Sequence, residues 1–305
     1  MSKILFSGTS KLLAFLRRKE AIIYAYDAEI MRVYIHELPD WPHFQWDEKR
    51  LAVKVAAVRY RQGRMLGALE GLGIELREEA ILRTLTEEIV KSSEIEGEIL
   101  DREQVRSSLA RRLGMDIGAL KPADRDTEGV VDMILDATQN YRQPLTAERL
   151  FSWHAALFPT GYSGLHKITV GQWRTEESGA MRVVSGAIGR ERTHFEAPEA
   201  KRLGTEMATF LKWLEDEALE SKVDPVLRAA IAHLWFVTIH PFEDGNGRIG
   251  RAITDMMLAR AEKSAQRFYS MSAQIRKERG KYYDYLEETQ KGDLDITDHL
   301  EWFLD

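Results

Sequence analysis

The run His240-Pro-Phe-Glu-Asp-Gly-Asn-Gly-Arg-Ile-Gly-Arg251 gathers the residue types that chemistry at phosphorus requires. Gly245-Asn246-Gly247 can take positive φ without strain, so successive backbone N–H groups can converge on one anion. Those amides fall at the start of an expected helix, where the helix dipole also favours negative charge. Arg248 and Arg251 are three residues apart, so they project from neighbouring positions on that helix. Guanidinium groups match phosphate oxygens through paired hydrogen bonds. Asp244 is a hard oxygen ligand at the edge of this cradle, suited to Mg²⁺. His240 stands at the other lip and can titrate near neutrality, as a general base should. Together they describe attack of a hydroxyl on phosphorus.

Taken singly, each part has a plainer structural reading: a histidine ending an apolar helix, a tight turn, a solvated arginine face. Their order within twelve residues is what carries weight, since nine specified positions recur by chance at well under roughly one in a billion sites. The segment resembles the Fic family signature, His-Pro-Phe-x-(Asp/Glu)-Gly-Asn-Gly-Arg-x-x-Arg, with every specified position present. The resemblance implies that His240 deprotonates a target hydroxyl, that Asp244 ligates Mg²⁺ and that Phe242 anchors the loop. Gly245, Asn246 and Gly247 would nest the α- and β-phosphates of ATP, with Arg248 and Arg251 facing the β- and γ-phosphates. It further implies an all-α core and transfer of AMP to a protein with release of pyrophosphate. The likeness extends to Gly171-Gln-Trp-Arg174 and to Arg276 through Phe303, covering roughly residues 91–305.

A second motif, Ser92-Ser-Glu-Ile-Glu-Gly97, places Glu94, Glu96 and Glu98 at the C-terminal end of an expected helix stopped by Gly97. Carboxylates there face the negative end of the dipole, at a cost of about 0.3–1 kcal/mol each, unless a cation offsets them. In isolation such a cluster reads as a solvated acidic helix end. Beside the phosphate motif it is similar to the family's inhibitory pattern, (Ser/Thr)-x-x-x-Glu-(Gly/Asn). That likeness implies that Glu96, with Ser92 opening the motif, pairs with Arg251 and draws it from the γ-phosphate. ATP would then bind with its α-phosphate turned from in-line attack. The same glutamate could instead position water to remove AMP from a modified target.

The elements that must hold these residues read as mainly α-helical with one small hairpin. Asp47, Asp101, Thr146 and Asp224 precede helical stretches as N-caps, and Pro225 suits the first turn. Helices are expected at about 47–69, 101–114, 126–139, 147–157, 198–218 (opened by Pro198), 224–239, 247–261, 273–289 and 297–304. Another, beyond Gly73, carries Ile81, Leu85 and Ile89 as one buried stripe. Residues 34–46, rich in proline and aromatics, read as an extended arm or short strand whose rings pack on the core. Glycines at 171, 179, 186 and 189 with β-prone pieces at 181–184 and 193–195 suit a hairpin. The resemblance makes that hairpin, 181–195, a flap that pairs main chain to main chain with an extended segment of the target protein. It also makes 31–90 a small N-terminal module, 91–305 the Fic core, 80–97 the inhibitory helix, and a homodimer the expected assembly. Tyr282 and Tyr283 lie where the family lines its nucleotide pocket; core packing and self-modification are their other readings. His233 reads as a packed helix residue, and with His154 and His194 forms no recognisable metal triad.

The composition fits such a protein. The chain has 305 residues, 44% of them hydrophobic, enough to bury a core, and no cysteine, which excludes disulfides and thiol chemistry. A formal charge of −6 argues against a nucleic-acid partner, no apolar run is long enough for a membrane span, and a cytoplasmic location is expected. Residues 1–30 read as a ragged extension with a short apolar stretch (11–17) and no signal-peptide cleavage site, and Met31 is an alternative start. Chains with this N-terminal module often continue beyond the equivalent of residues 301–304 into further helices or a winged helix. The end at Asp305 therefore counts against DNA binding and leaves a truncated C-terminus open. Three other functions remain alongside AMP transfer: transfer of another nucleotide or phosphoryl group, AMP removal, and nucleotide sensing without catalysis.

Overall fold

Helix α7 (Pro225–Ile239) is buried from Val226 to Ile239, so it must be surrounded on all sides, and the other helices supply that surround. In the computed structural model, which describes residues 33–118, 120–186, 190–219 and 222–305, they are α1 (Glu48–Glu70), α2 (Ile74–Ile95), α3 (Arg102–Leu113), α4 (Arg125–Gln139), α5 (Ala147–Leu157) and α6 (Leu203–Leu214) before it. After it come α8 (Asn246–Glu262), α9 (Met271–Lys277), α10 (Arg279–Gln290) and α11 (Thr297–Leu304). The expected extension at 1–30 lies outside the described residues. Asp224 Oδ1 caps α7 by accepting from Val226 N–H at 2.8 Å, with Pro225 at the first position where no N–H is needed. Asp47, Asp101 and Thr146 cap α1, α3 and α5 in the same way. The most extensive helix pairing is α7 against α8, while α2 packs on α3 and α9 and delivers Ile81, Leu85 and Ile89 to the core.

Two short antiparallel pairs complete the described fold. The expected hairpin is β3 (Arg182–Ser185) with β4 (Arg192–Glu196), closed at its base by Ala197 N–H to Met181 O at 2.9 Å. A second pair, β1 (Tyr162–Ser163) with β2 (His166–Lys167), has no counterpart in the sequence reading; its turn uses Gly164 at φ 55°, after Gly161 at φ 78°.

The structure differs from the sequence reading in three further places. The segment expected as a helix over 198–218 passes first through a 3₁₀ turn, Ala200–Arg202, and becomes α-helical only at Leu203. Pro198 is therefore outside the helix, and its carbonyl is spent on Arg174. The stretch 273–289 divides at Glu278, whose φ of −111° and ψ of 30° end α9 and begin α10. The arm at 34–46 opens as a 3₁₀ turn, Ile35–Glu37, and is extended only near Gln45, which bridges in parallel to Asp295. Its rings do pack on the core: Trp41 and Phe44 meet Trp235 edge-on at 6.1 and 5.6 Å, and Trp41 Nε1–H donates to Glu206 Oε2 at 2.9 Å.

Trp41→Ala should thus detach the arm from α7. Because Trp41 is only partly buried, the expected loss is about 2 kcal/mol, below the roughly 3–5 kcal/mol of a fully buried ring. A lower urea midpoint with an unchanged slope would register it.

Candidate active site

The loop from His240 to Gly245 joins α7 to α8, and nearly every polar group in it has a defined partner. His240 ends α7 in the left-handed region, φ 52° and ψ 59°, a conformation costing a non-glycine residue about 1 kcal/mol. Arg174 holds the loop there: its Nε–H donates to His240 O at 2.9 Å and its backbone N–H to Pro241 O at 2.9 Å. Phe242 is fully buried and stacks on His154 at 4.2 Å with 10° between the rings. Asn246 closes the loop from the other side. Its Nδ2–H donates to Phe242 O at 2.9 Å, while its Oδ1 accepts from Phe242 N–H at 3.0 Å. The asparagine side chain is thereby consumed as a staple, and only its backbone faces the nest.

The histidines in this region are sorted by their partners. His240 Nδ1 lies 3.1 Å from Val237 O, a group that can only accept, so Nδ1 carries the proton and Nε2 keeps a lone pair. Burial lowers the His240 pKa, the Val237 bond opposes this, and the charge of Arg174 lowers it further. The imidazole is accordingly neutral at pH 7, the form a base requires. His154 accepts from Gly171 N–H at its Nδ1 (3.2 Å), so its Nε2–H donates to Asp244 O (3.2 Å). Burial pulls its pKa down to about 4, which keeps it a neutral brace between the 171–174 segment and the loop. His194 pairs with Glu287 on α10, and His233 is packed against Tyr282.

Asp244 accepts from Gly245 N–H at 2.5 Å through Oδ1 and from the Ser163 hydroxyl through Oδ2, and stays partly exposed. Gly245, φ 81°, begins α8; a methyl group there would come within 2.9 Å of the Phe158 ring. The nest therefore requires glycine for both conformation and space.

Over the nest sits the end of α2. Arg251 is 2% exposed, and its Nη2–H donates to Glu96 Oε1 at 2.8 Å and to Ser92 O at 2.9 Å. Its Nε–H donates to Ser92 Oγ at 2.9 Å, and Nη1 is buried without a hydrogen-bond partner among the described residues. Glu96 Oε1 also presses on the nest, because a methyl group on Gly247 would lie only 2.1 Å from it. Arg248, equally buried, pairs with Glu98 and stacks over the Phe158 ring at 5.1 Å. Loss of solvent raises the Glu98 pKa, against the pull of Arg248. Glu94 turns to Lys91 (2.7 Å) and Arg276 (3.4 Å). Each of the three carboxylates crowding the end of α2 thus has its cation.

The structure brings together His240, Asp244, Gly245, Asn246, Gly247, Arg248 and Arg251 in one loop and helix start, and sets Ser92 and Glu96 against Arg251. Sequence reasoning did not find Glu98 as the partner of Arg248, nor Ser163 and His154 as the supports of Asp244. The paired glycines at 161 and 164 were the available signal for the turn that presents Ser163. Tyr282 is 2% exposed, with its hydroxyl 3.2 Å from His233 Nε2, so it is a core residue; Tyr283 is half-buried.

The chain is similar to known proteins in sequence and in fold. Residues 144–258 match the Fic/DOC family, and residues 34–115 match a domain of unknown function, DUF4172. Protein adenylyltransferase fic-1 of Caenorhabditis elegans is 32% identical over 97 residues, 32% of this chain and 18% of that protein. Protein adenylyltransferase Fic of Culex quinquefasciatus is 34% identical over 130 residues, 43% of this chain and 24% of that protein. The chain thus spans about a fifth of the length of these curated relatives. A crystal structure of a Fic family protein from Desulfovibrio desulfuricans G20 superposes with a TM-score of 0.59 at 26% identity, over 82% of this chain and 70% of that one. Fic-1 from C. elegans (residues 134–508) shares the fold with a TM-score of 0.51 at 19% identity, over 97% of this chain and 74% of that one.

The Asn246 staple can be tested apart from any reaction. Asn246→Ala leaves the buried N–H and C=O of Phe242 unpaired and should cost about 2–4 kcal/mol in a thermal or urea unfolding measurement. An Asn246→Ala protein as stable as wild type would show that the side chain does not hold the loop.

Proposed function

We propose that this chain, whose residues 144–258 form a Fic domain, is a protein adenylyltransferase that moves AMP from ATP to a hydroxyl of a target protein and is restrained by its own Glu96. The observation that carries this reading is a neutral His240, with Nε2 free to accept a proton, beside an anion nest backed by Arg248 and Arg251. The target hydroxyl oxygen attacks the α-phosphorus and its proton passes to His240 Nε2. The bond from the α-phosphorus to the bridging oxygen breaks, and pyrophosphate departs. Backbone N–H groups at the start of α8 and the two guanidiniums take up the negative charge that develops.

Asp244 would hold Mg²⁺. It is a hard carboxylate, partly exposed, whose two hydrogen bonds leave lone pairs free, and among the described residues it belongs to no group of three or more ligands. A single protein carboxylate suits an ion completed by phosphate oxygens and water, and such an ion neutralises phosphate charge when bound. The target would add a strand to the outer edge of β3, which pairs only with β4 among the described residues and where Val184 is 49% exposed. Among those residues no helix is long and apolar enough to cross a membrane.

The restraint follows from what Glu96 occupies. Its carboxylate takes the place of an anion over Gly247 and holds Arg251 Nη2, so a triphosphate meets an arginine already engaged. Glu98 does the same to Arg248.

Incorporation of labelled AMP from ATP and Mg²⁺ tests the whole reading. Glu96→Gly should raise labelling roughly ten- to a hundredfold, the rate equivalent of the 1.5–3 kcal/mol of a charge-assisted hydrogen bond. Adding His240→Ala should abolish it, and adding Glu98→Ala instead should raise it further. Equal labelling in wild type and Glu96→Gly would remove the restraint. No labelling in any protein, with cell extract supplied as acceptor, would remove AMP transfer and favour another donor or a sensing role.

A further inference from the structure

We propose that Arg174 is a positioning residue for this transfer: a single guanidinium sets His240 and the base of the flap at a fixed separation. The inference rests on the reading of His240 as the base and of the β3–β4 hairpin as the place where the target lies.

The geometry is specific. Arg174 is 3% exposed, and no carboxylate among the described residues lies within ion-pair distance of it. Its partners are carbonyl oxygens. Nε–H reaches His240 O at 2.9 Å, Nη2–H reaches Pro198 O at 2.5 Å, and the backbone N–H reaches Pro241 O at 2.9 Å. Two of these belong to the left-handed turn that aims His240. The third lies two residues past β4, next to Ala197, whose N–H closes the hairpin on Met181 O. One planar group therefore joins the residue proposed to take the proton to the segment that leaves the strand pair proposed to hold the hydroxyl that loses it.

The segment carrying Arg174 is itself pinned. Gly171 (φ 72°) donates to His154, and Trp173 packs on Phe242 and Phe151 at 5.1 and 4.5 Å. Arg174 is thus held from behind and cannot follow either partner independently.

Keeping a cation buried without a counter-ion is unfavourable, and burial lowers the Arg174 pKa to about 10. Two features offset this: the two carbonyls on its guanidinium, His240 O and Pro198 O, and the negative end of the α7 dipole at His240. A charge retained under those conditions also acts on its neighbour. The charged groups facing His240 are Arg174 from the 171–174 segment, Glu96 from the end of α2 and Asp244 in the same loop. Arg174 is the cation among them, and it disfavours the imidazolium. Removing it should raise the His240 pKa, so the acid limb of the rate profile should move to higher pH.

The experiment uses the full chain with Glu96→Gly as parent and adds Arg174→Gln or Arg174→Lys. For Arg174→Gln, kcat for AMP transfer should fall about a hundredfold, the effect of misplacing reacting groups by about an ångström, with the KM for ATP unchanged within about twofold. Its acid limb should shift upward. Arg174→Lys keeps the charge and loses the two-pronged reach, so kcat should fall while the acid limb stays with the parent. Should the glutamine protein not fold, the lysine variant carries the test through this division of kcat from KM. Two further readouts stand without activity: the His240 imidazole, followed by NMR, should titrate higher in Arg174→Gln, and the Ala197 amide should exchange faster. A parent that transfers no AMP would sink the proposed function and leave these two readouts to decide Arg174. A kcat within about threefold of the parent, an equal loss of ATP affinity, or unmoved His240 titration and Ala197 exchange would overturn the positioning role of Arg174.

Discussion

A buried guanidinium must be satisfied by carbonyls, as Arg174 is, or by an anion, and Arg251 is the point at which this chain uses an anion. At 2% exposure, with two of its nitrogens on Ser92 and Glu96, it ties α8 to the end of α2. Stripping Arg251 of its anion with nothing in exchange would cost several kcal/mol, so a departing carboxylate calls for another negative group in its place. In the structure that group is Glu96. In the proposed reaction it is a phosphate, and Nη1, which has no hydrogen-bond partner among the described residues, is the donor still available to it. The proposed restraint and nucleotide binding would then be two ways of satisfying one buried charge. The second arginine repeats the logic with Glu98, two residues further along the same segment.

The loop beneath is organised so that the proposed exchange of anions need not deform it. Asn246, Arg174 and His154 each spend side-chain hydrogen bonds on backbone groups of the 240–246 segment. The turn is therefore held from inside, from the 171–174 segment and from α5, independently of what occupies the nest. That independence suits a site whose donors must already point at developing charge before substrate arrives. It also explains why His240 can sit in a left-handed conformation that a free chain would avoid: its carbonyl and its Nδ1–H both have fixed partners.

What the sequence made legible divides by range. The caps Asp47, Asp101, Thr146 and Asp224 were readable because an N-cap acts within three residues of itself. The members of the cradle were readable because His240 through Arg251 are contiguous, and the helical fold because apolar spacing repeats over whole turns. Glu98 with Arg248 is 150 residues apart, and Ser163 with Asp244 is 81 apart; no local rule joins them. Asn246 belongs to the nest by position, whereas its side chain turns back on Phe242, a choice set by which backbone groups the turn leaves unpaired. Pro198 suggested a helix start, yet the chain first had to present a carbonyl to Arg174, and the helix begins five residues later, at Leu203.

Gly247 links these two organisations. A nest glycine is usually explained by the ligand alone, because backbone must approach phosphate closely. Here the space where its side chain would stand is already taken by Glu96 Oε1, 2.1 Å from that point, with Arg251 Nη1 at 3.2 Å. The carboxylate therefore lies where an anion is wanted and is not a lid over an empty site. A steric lid could be displaced by any force on α2. A carboxylate in the nest is displaced most effectively by a group that offers Arg251 and the α8 amides as much negative charge as it removes. That requirement selects for polyanions, and the proposed restraint would then read the same chemistry as the proposed reaction.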